Sequence, residues 1–173
     1  MKQKLSTRKI VIAGLLSAVA IVLSVTGLGY IPLPTAAGRA TFIHVPVILA
    51  GILEGPVIGG FVGFIFGLHS FMTPTGVIPA DPIVRILPRI LIGIVSFGVY
   101  YCLRRWPNFA AGAAAVMGTL TNTVGFLGLA VLMGYMPWPA AATVMVMQMP
   151  FEMILAAVLT VILVKALNKQ HRD

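Results

Sequence analysis

Six apolar runs follow one another along 173 residues, and almost no polar chain is left between them. About 20 such residues make a helix long enough to cross the hydrocarbon core of a bilayer. Composition agrees: 59% of residues are hydrophobic, 9% are charged and the mean hydropathy is +1.02. The chain is therefore expected to be a single all-α, six-helix membrane domain over residues 1–173, with no room for a separate soluble domain. Spans are expected at about 9–28, 41–53, 56–69, 82–103, 109–133 and 140–167, the second and third being joined by a tight turn at Glu54-Gly55-Pro56.

The net charge of +8 does not imply nucleic-acid binding. Most of it lies in Lys2, Lys4, Arg8, Lys9, Arg104, Arg105, Lys165, Lys169 and Arg172, which flank the apolar runs. An even number of spans puts these clusters on one side, so both termini are expected in the cytoplasm. The loops at 29–40, 70–80 and 134–139 then face outward. The first two are long and rich in proline and glycine, as suits a lid over a cavity. Residues 2–20 imitate a signal peptide ending in Ala18-Val19-Ala20, but cleavage would still leave a membrane protein, so an uncleaved first span is expected. Cys102 is the one cysteine, which excludes an internal disulfide and a cysteine metal cluster.

In such a chain every interior charge needs a reason, because an ionisable group inside the membrane costs roughly 2.5 kcal/mol or more. Asp81-Pro-Ile-Val-Arg85-Ile-Leu-Pro-Arg89 places three ionisable side chains four residues apart, on one helix face. Pro82 suits a first helical turn and Asp81 the N-cap before it, while Pro88 removes a backbone hydrogen bond further in and is expected to bend the helix. Two guanidinium groups near the positive end of a helix would draw an anionic or strongly polar ligand. The plainer alternative is that Asp81 and Arg85 neutralise each other while Arg89 snorkels to the interface.

Other polar residues lie at depth in the later spans. Asn122 sits among Thr119, Thr121 and Thr123; hydroxyls can bond their own helix, but the amide needs outside partners. Gln148 and Glu152 are four apart around Pro150. Glu152 either pairs with Arg85 or Arg89 or receives a donor from a ligand. His44 and His69, near the outward ends of spans two and three, have no Cys or His partner nearby and suit hydrogen bonding better than metal ligation. Tyr135 and Trp138 fit an interfacial belt or a ligand stack. Gly59, Gly63 and Gly67 form a groove suited to internal helix packing. Gly14 and Ala18, with Ala13, Ser17 and Ala20, smooth the first span for packing inside the protein or against another subunit.

No Walker A sequence, HExxH or G-x-S-x-G occurs, and no nucleophile, base and orienter assemble, so an enzyme is not expected.

The pattern resembles the substrate-binding S components of energy-coupling factor (ECF) vitamin transporters. The residues carrying the resemblance are Thr41-Phe-Ile-His-Val-Pro-Val-Ile-Leu-Ala50, Glu54-Gly-Pro56, Gly63-Phe-Ile-Phe-Gly67, Leu87-Pro-Arg-Ile-Leu-Ile-Gly93 and Gly118-Thr-Leu-Thr-Asn-Thr123. It covers nearly the whole chain and is nearest the pantothenate, hydroxymethylpyrimidine and cobalamin subgroup. The resemblance implies a six-helix, multi-pass subunit of a bacterial plasma membrane that captures a vitamin or precursor outside, uses no cofactor, and topples on a scaffold to release it inside. It implies a pocket containing Asp81, Arg85, Arg89, Asn122, Gln148 and Glu152, with His69 at its edge. It also implies a membrane scaffold subunit and two cytoplasmic ATPases, in keeping with the missing nucleotide site. The family's A-x-x-x-A docking motif stands here as Gly14-Leu-Leu-Ser-Ala18. Pantothenate is the first substrate choice, since its carboxylate suits Arg85 or Arg89. Hydroxymethylpyrimidine or pyridoxine is the alternative, with Glu152 and Asn122 reading ring nitrogen and hydroxyl groups. A ligand-free scaffold subunit and a stand-alone permease are the remaining rivals.

Overall fold

Prolines and one glycine set the helix boundaries. In the computed structural model, which describes residues 6–32, 39–74 and 78–170, six helices form in the order α1 (Thr7–Val25), α2 (Val45–Glu54), α3 (Pro56–Met72), α4 (Pro82–Leu103), α5 (Pro107–Leu132) and α6 (Trp138–Gln170). Pro56, Pro82 and Pro107 each open a helix, where the missing N–H would have no partner anyway. Gly55 alone separates α2 from α3, at φ +98, a conformation that a side chain would strain.

Four helices, α1, α4, α5 and α6, are long and apolar enough to cross a membrane. α2 and α3 are shorter, with 10 and 17 residues. At 1.5 Å per residue α2 reaches only about 15 Å, half a hydrocarbon core. The loop expected at 29–40 contains an element the sequence did not announce. β1 (Tyr30–Pro32) and β2 (Arg39–Thr41) pair antiparallel, with Tyr30 opposite Thr41 and Ile31 opposite Ala40. The rest of that loop (33–38), part of the second loop (75–77) and the charges Lys2, Lys4 and Arg172 lie outside the described residues.

Packing turns on α2, α3 and α4. A Cβ at Gly59 would stand 2.7 Å from Gly51 Cα, and one at Gly93 would overlap the backbone of Gly59. One turn on, Gly63 lies against the carbonyl of Arg89, and a Cβ at Gly67 would be 2.9 Å from Ile86 Cα. The Gly59-Gly63-Gly67 groove thus packs internally, as expected. It brings α4 to backbone contact with α3 and so sets the depth of both arginines. Dispersion at such close approach replaces the hydrophobic force that lipid cannot supply. On the other side of the core, Ala110, Ala111, Ala114 and Ala115 of α5 are fully buried. On α1, Ala13, Ser17 and Ala20 are buried while Gly14 and Ala18 are exposed, so the two small-residue rows lie on different faces, about 100° apart. Leu15, Val19, Phe61, Phe64, Ile94 and Ile154 remain exposed, as lipid-facing side chains would be.

Candidate ligand-binding cavity

The helices leave a cavity of about 660 Å³ where α1, α3 and α5 end and α4 and α6 begin. That volume lies within the range of small-molecule sites. Six of the seven residues nominated from sequence line it: His69, Arg85, Arg89, Asn122, Gln148 and Glu152.

The two arginines are both buried, at 2% and 7% exposure, and do different things. Arg85 is engaged with backbone. Its Nε donates to Pro79 O at 3.0 Å, Nη1 to Ser70 O at 3.1 Å and Nη2 to Ile78 O at 2.5 Å. It thereby ties the chain leaving α3 to the chain entering α4. Arg89 is under-used. Pro88 has no N–H to give the carbonyl of Val84, four residues back, and Arg89 Nη1 takes that carbonyl at 3.2 Å. Its Cζ lies 4.3 Å from the centre of the Phe126 ring, which Arg85 also approaches at 5.8 Å. The Nε of Arg89 is buried without a partner. Among the described residues no carboxylate lies within salt-bridge distance of Arg89. A cation–π contact and one carbonyl are its protein partners, and its Nε donor remains unused.

Three more buried atoms around the cavity lack partners: Asn122 Oδ1, Gln148 Oε1 and His69 Nδ1. The threonines near Asn122 behave as hydroxyls in helices do, Thr119 donating to Ala115 O and Thr121 to Met117 O. Glu152, 2% exposed, receives Thr41 N and Gln148 Nε2 at 2.8 Å and the Thr123 hydroxyl at 3.2 Å. Three protein donors, and neither arginine, therefore hold the Glu152 carboxyl group.

Asp81 is not among the cavity-lining residues. As foreseen, it caps α4: its Oδ1 accepts from Ile83 N at 2.8 Å and Val84 N at 3.1 Å. Its Oδ2 accepts from the Tyr135 hydroxyl at 3.0 Å. The bond from the Val84 amide, together with those from Tyr135 and Ile83, holds this carboxyl below its ordinary pKa, and the hydrogen bond to Asp81 raises that of the Tyr135 phenol. Neither the neutralising Asp81–Arg85 reading nor the snorkelling of Arg89 describes this geometry. His44 is buried against Thr119, its Nε2 and the threonine oxygen 2.9 Å apart, away from the cavity wall. Trp138 is 60% exposed and does not line the cavity, whereas Met136 does.

Sequence reasoning passed over Phe126, although it lies one helical turn beyond Asn122 on the same face of α5. It could not have found the Thr41 amide or the carbonyls of Ser70, Ile78 and Pro79, which carry no side-chain signature.

Comparison with known proteins supplies the class. A family model described as the substrate-specific component of ECF transporters matches residues 8–167. The chain belongs to that family. It is 31% identical to the pantothenic acid transporter PanT of Lactococcus lactis subsp. cremoris strain MG1363, with 78% of this chain and 81% of that protein covered. It is also 31% identical to the pantothenate transporter PanT of Leuconostoc mesenteroides subsp. mesenteroides, over 61% of this chain and 58% of that protein. The protein is accordingly a multi-pass plasma-membrane transporter subunit and not an enzyme.

Proposed function

We propose that this chain captures pantothenate in the cavity and presents it to an energising module. The observation that carries this reading is Arg89, a buried cation on the cavity wall whose Nε has no partner. A carboxylate placed there would complete its hydrogen bonding through charge-assisted bonds. Pantothenate also carries hydroxyl and amide groups that could donate to Asn122 Oδ1 and Gln148 Oε1. The names of the two related transporters favour the same ligand. Arg89, Asn122, Gln148 and His69 form the ligand-facing set in this reading, and Asp81 serves as a helix cap.

The same proposal includes six membrane passes over one domain, residues 1–173, with both termini cytoplasmic. The cavity then opens outward, at the end opposite the described basic residues Arg8, Lys9, Arg104, Arg105 and Lys165. The short α2 crosses only as part of the bundle. The exposed Gly14–Ala18 row, where a Cβ on Gly14 would meet nothing within 4 Å, is the surface offered to a membrane scaffold subunit, with two cytoplasmic ATPases completing the transporter. Toppling on that scaffold would deliver the vitamin inside. Bulky leucine at both positions should leave pantothenate binding by the isolated subunit intact and reduce co-purification with the scaffold several-fold, since small residues are what permit close helix approach. Unchanged co-purification would move the docking surface elsewhere.

Native mass spectrometry of freshly purified protein tests the ligand. Pantothenate is the expected bound mass. A different compound, or an empty protein that gains no thermal stability from added pantothenate, would refute the assignment.

A further inference from the structure

Glu152 joins the cavity-lining Gln148 to the β1–β2 hairpin by hydrogen bonds. Phe42 N turns inward to Gly29 O at 3.1 Å. Successive residues of a strand present their N–H groups in opposite directions. Thr41 N therefore faces away from β1, and Glu152 Oε1 accepts it at 2.8 Å. The same oxygen accepts Gln148 Nε2 at 2.8 Å, one turn back on α6. Oε2 accepts the Thr123 hydroxyl of α5 at 3.2 Å. Three donors from three elements thus converge on one carboxylate that is 2% exposed.

Gln148 Nε2 donates to Glu152 Oε1, so the NH₂ of Gln148 faces the carboxyl group. That leaves Gln148 Oε1, buried and without a protein partner, on a residue that lines the cavity. We propose that Glu152 is a positioning residue: it holds the β1–β2 hairpin against the cavity wall, and Gln148 is the ligand-facing end of the link. A donor on the ligand that bonds Gln148 Oε1 fixes the Gln148 side chain, and with it the orientation of the Glu152 carboxylate that accepts Thr41 N. Occupancy of the cavity therefore firms the hairpin through this link, and loss of the carboxylate breaks the link. The inference rests on the cavity being the ligand site. It does not depend on which vitamin fills it.

Hydrogen–deuterium exchange of the full-length protein in detergent, read at amides 29–32 and 39–43, tests this with and without pantothenate. Glu152→Ala should speed exchange of the Thr41 and Phe42 amides about fivefold in the ligand-free protein, the equivalent of one lost hydrogen bond. Glu152→Gln should restore most of the protection, because its oxygen can take Thr41 and Gln148 while its NH₂ meets the Thr123 oxygen. Thr41→Pro removes the strand donor at a residue whose N–H points away from the β1–β2 pairing, an edge where proline is tolerated. It should expose the hairpin as Glu152→Ala does while leaving α6 untouched, so a misfolded Glu152→Ala would not blunt the test. Wild-type exchange of the hairpin in ligand-free Glu152→Ala or Thr41→Pro would overturn the proposal. So would a Glu152→Gln protein as unprotected as Glu152→Ala, since charge and not hydrogen bonding would then be responsible. If the wild type does not bind pantothenate, the substrate reading fails, and the ligand-free comparison still decides the role of Glu152.

Discussion

Gly93→Ala should lower the thermal midpoint by roughly 6–12 °C, and Gly93→Val should yield no folded subunit. A Cβ at Gly93 overlaps the backbone of Gly59, and Gly59 in turn would place a Cβ 2.7 Å from Gly51 Cα. Overpacking against side chains costs about 1–3 kcal/mol because they can shift. Here the obstacle is the main chain of α3, which cannot rotate away, so a cost at or above about 3 kcal/mol is expected. For a chain of this length each kcal/mol is worth about 2–4 °C. Gly98→Ala is the matched control, on the same helix with nothing within 4 Å of its added Cβ, and should leave the midpoint unchanged. Thermal size-exclusion in detergent reads both. The consequence extends to the cavity, because Gly63 holds the Arg89 backbone against α3 one turn away. A Gly93→Ala protein with wild-type stability would mean that the three-helix contact is looser than described.

Arg89→Gln should cost pantothenate affinity about 30-fold to a few thousand-fold, the range for truncating one partner of a buried, hydrogen-bonded charge pair, about 2–5 kcal/mol. Fold stability should hardly fall, and could rise, because the variant removes a buried charge that the protein itself does not neutralise. Arg85→Gln is the informative contrast. It leaves three backbone carbonyls, of Ser70, Ile78 and Pro79, without their donors and should destabilise the connection between α3 and α4. Calorimetric titration and thermal melting of the two variants separate these roles. Equal losses of affinity with equal stability in both would contradict the division of labour.

Much of α4 was legible because its signals are local. Asp81, Pro82 and the four-residue spacing give the cap, the start and the face, and the helix ends at Leu103 as the basic pair Arg104-Arg105 suggests. The distinct fates of Asp81, Arg85 and Arg89 were not legible. Spacing places them on one face, but carbonyls from residues 70, 78 and 79 claim Arg85, the turn residue Tyr135 claims Asp81, and Pro88 hands Arg89 a freed carbonyl. Those partners are set by tertiary geometry. The hairpin was missed for a related reason: strands of three residues carry too little pattern to stand out between prolines and glycines. Gln148 and Glu152 were found from polarity and depth, whereas the Thr41 amide that gives Glu152 its task has no identity in sequence.

If the ligand's carboxylate completes the buried Arg89 cation, a two-by-two calorimetric cycle shows it most plainly: wild type and Arg89→Gln, each titrated with pantothenate and with pantothenol, in which an alcohol replaces the carboxylate. A coupling energy of about 2 kcal/mol or more is predicted, with the variant nearly blind to the difference between the two compounds. Additive losses, with a coupling near zero, would show that the carboxylate is read elsewhere or that the ligand has none.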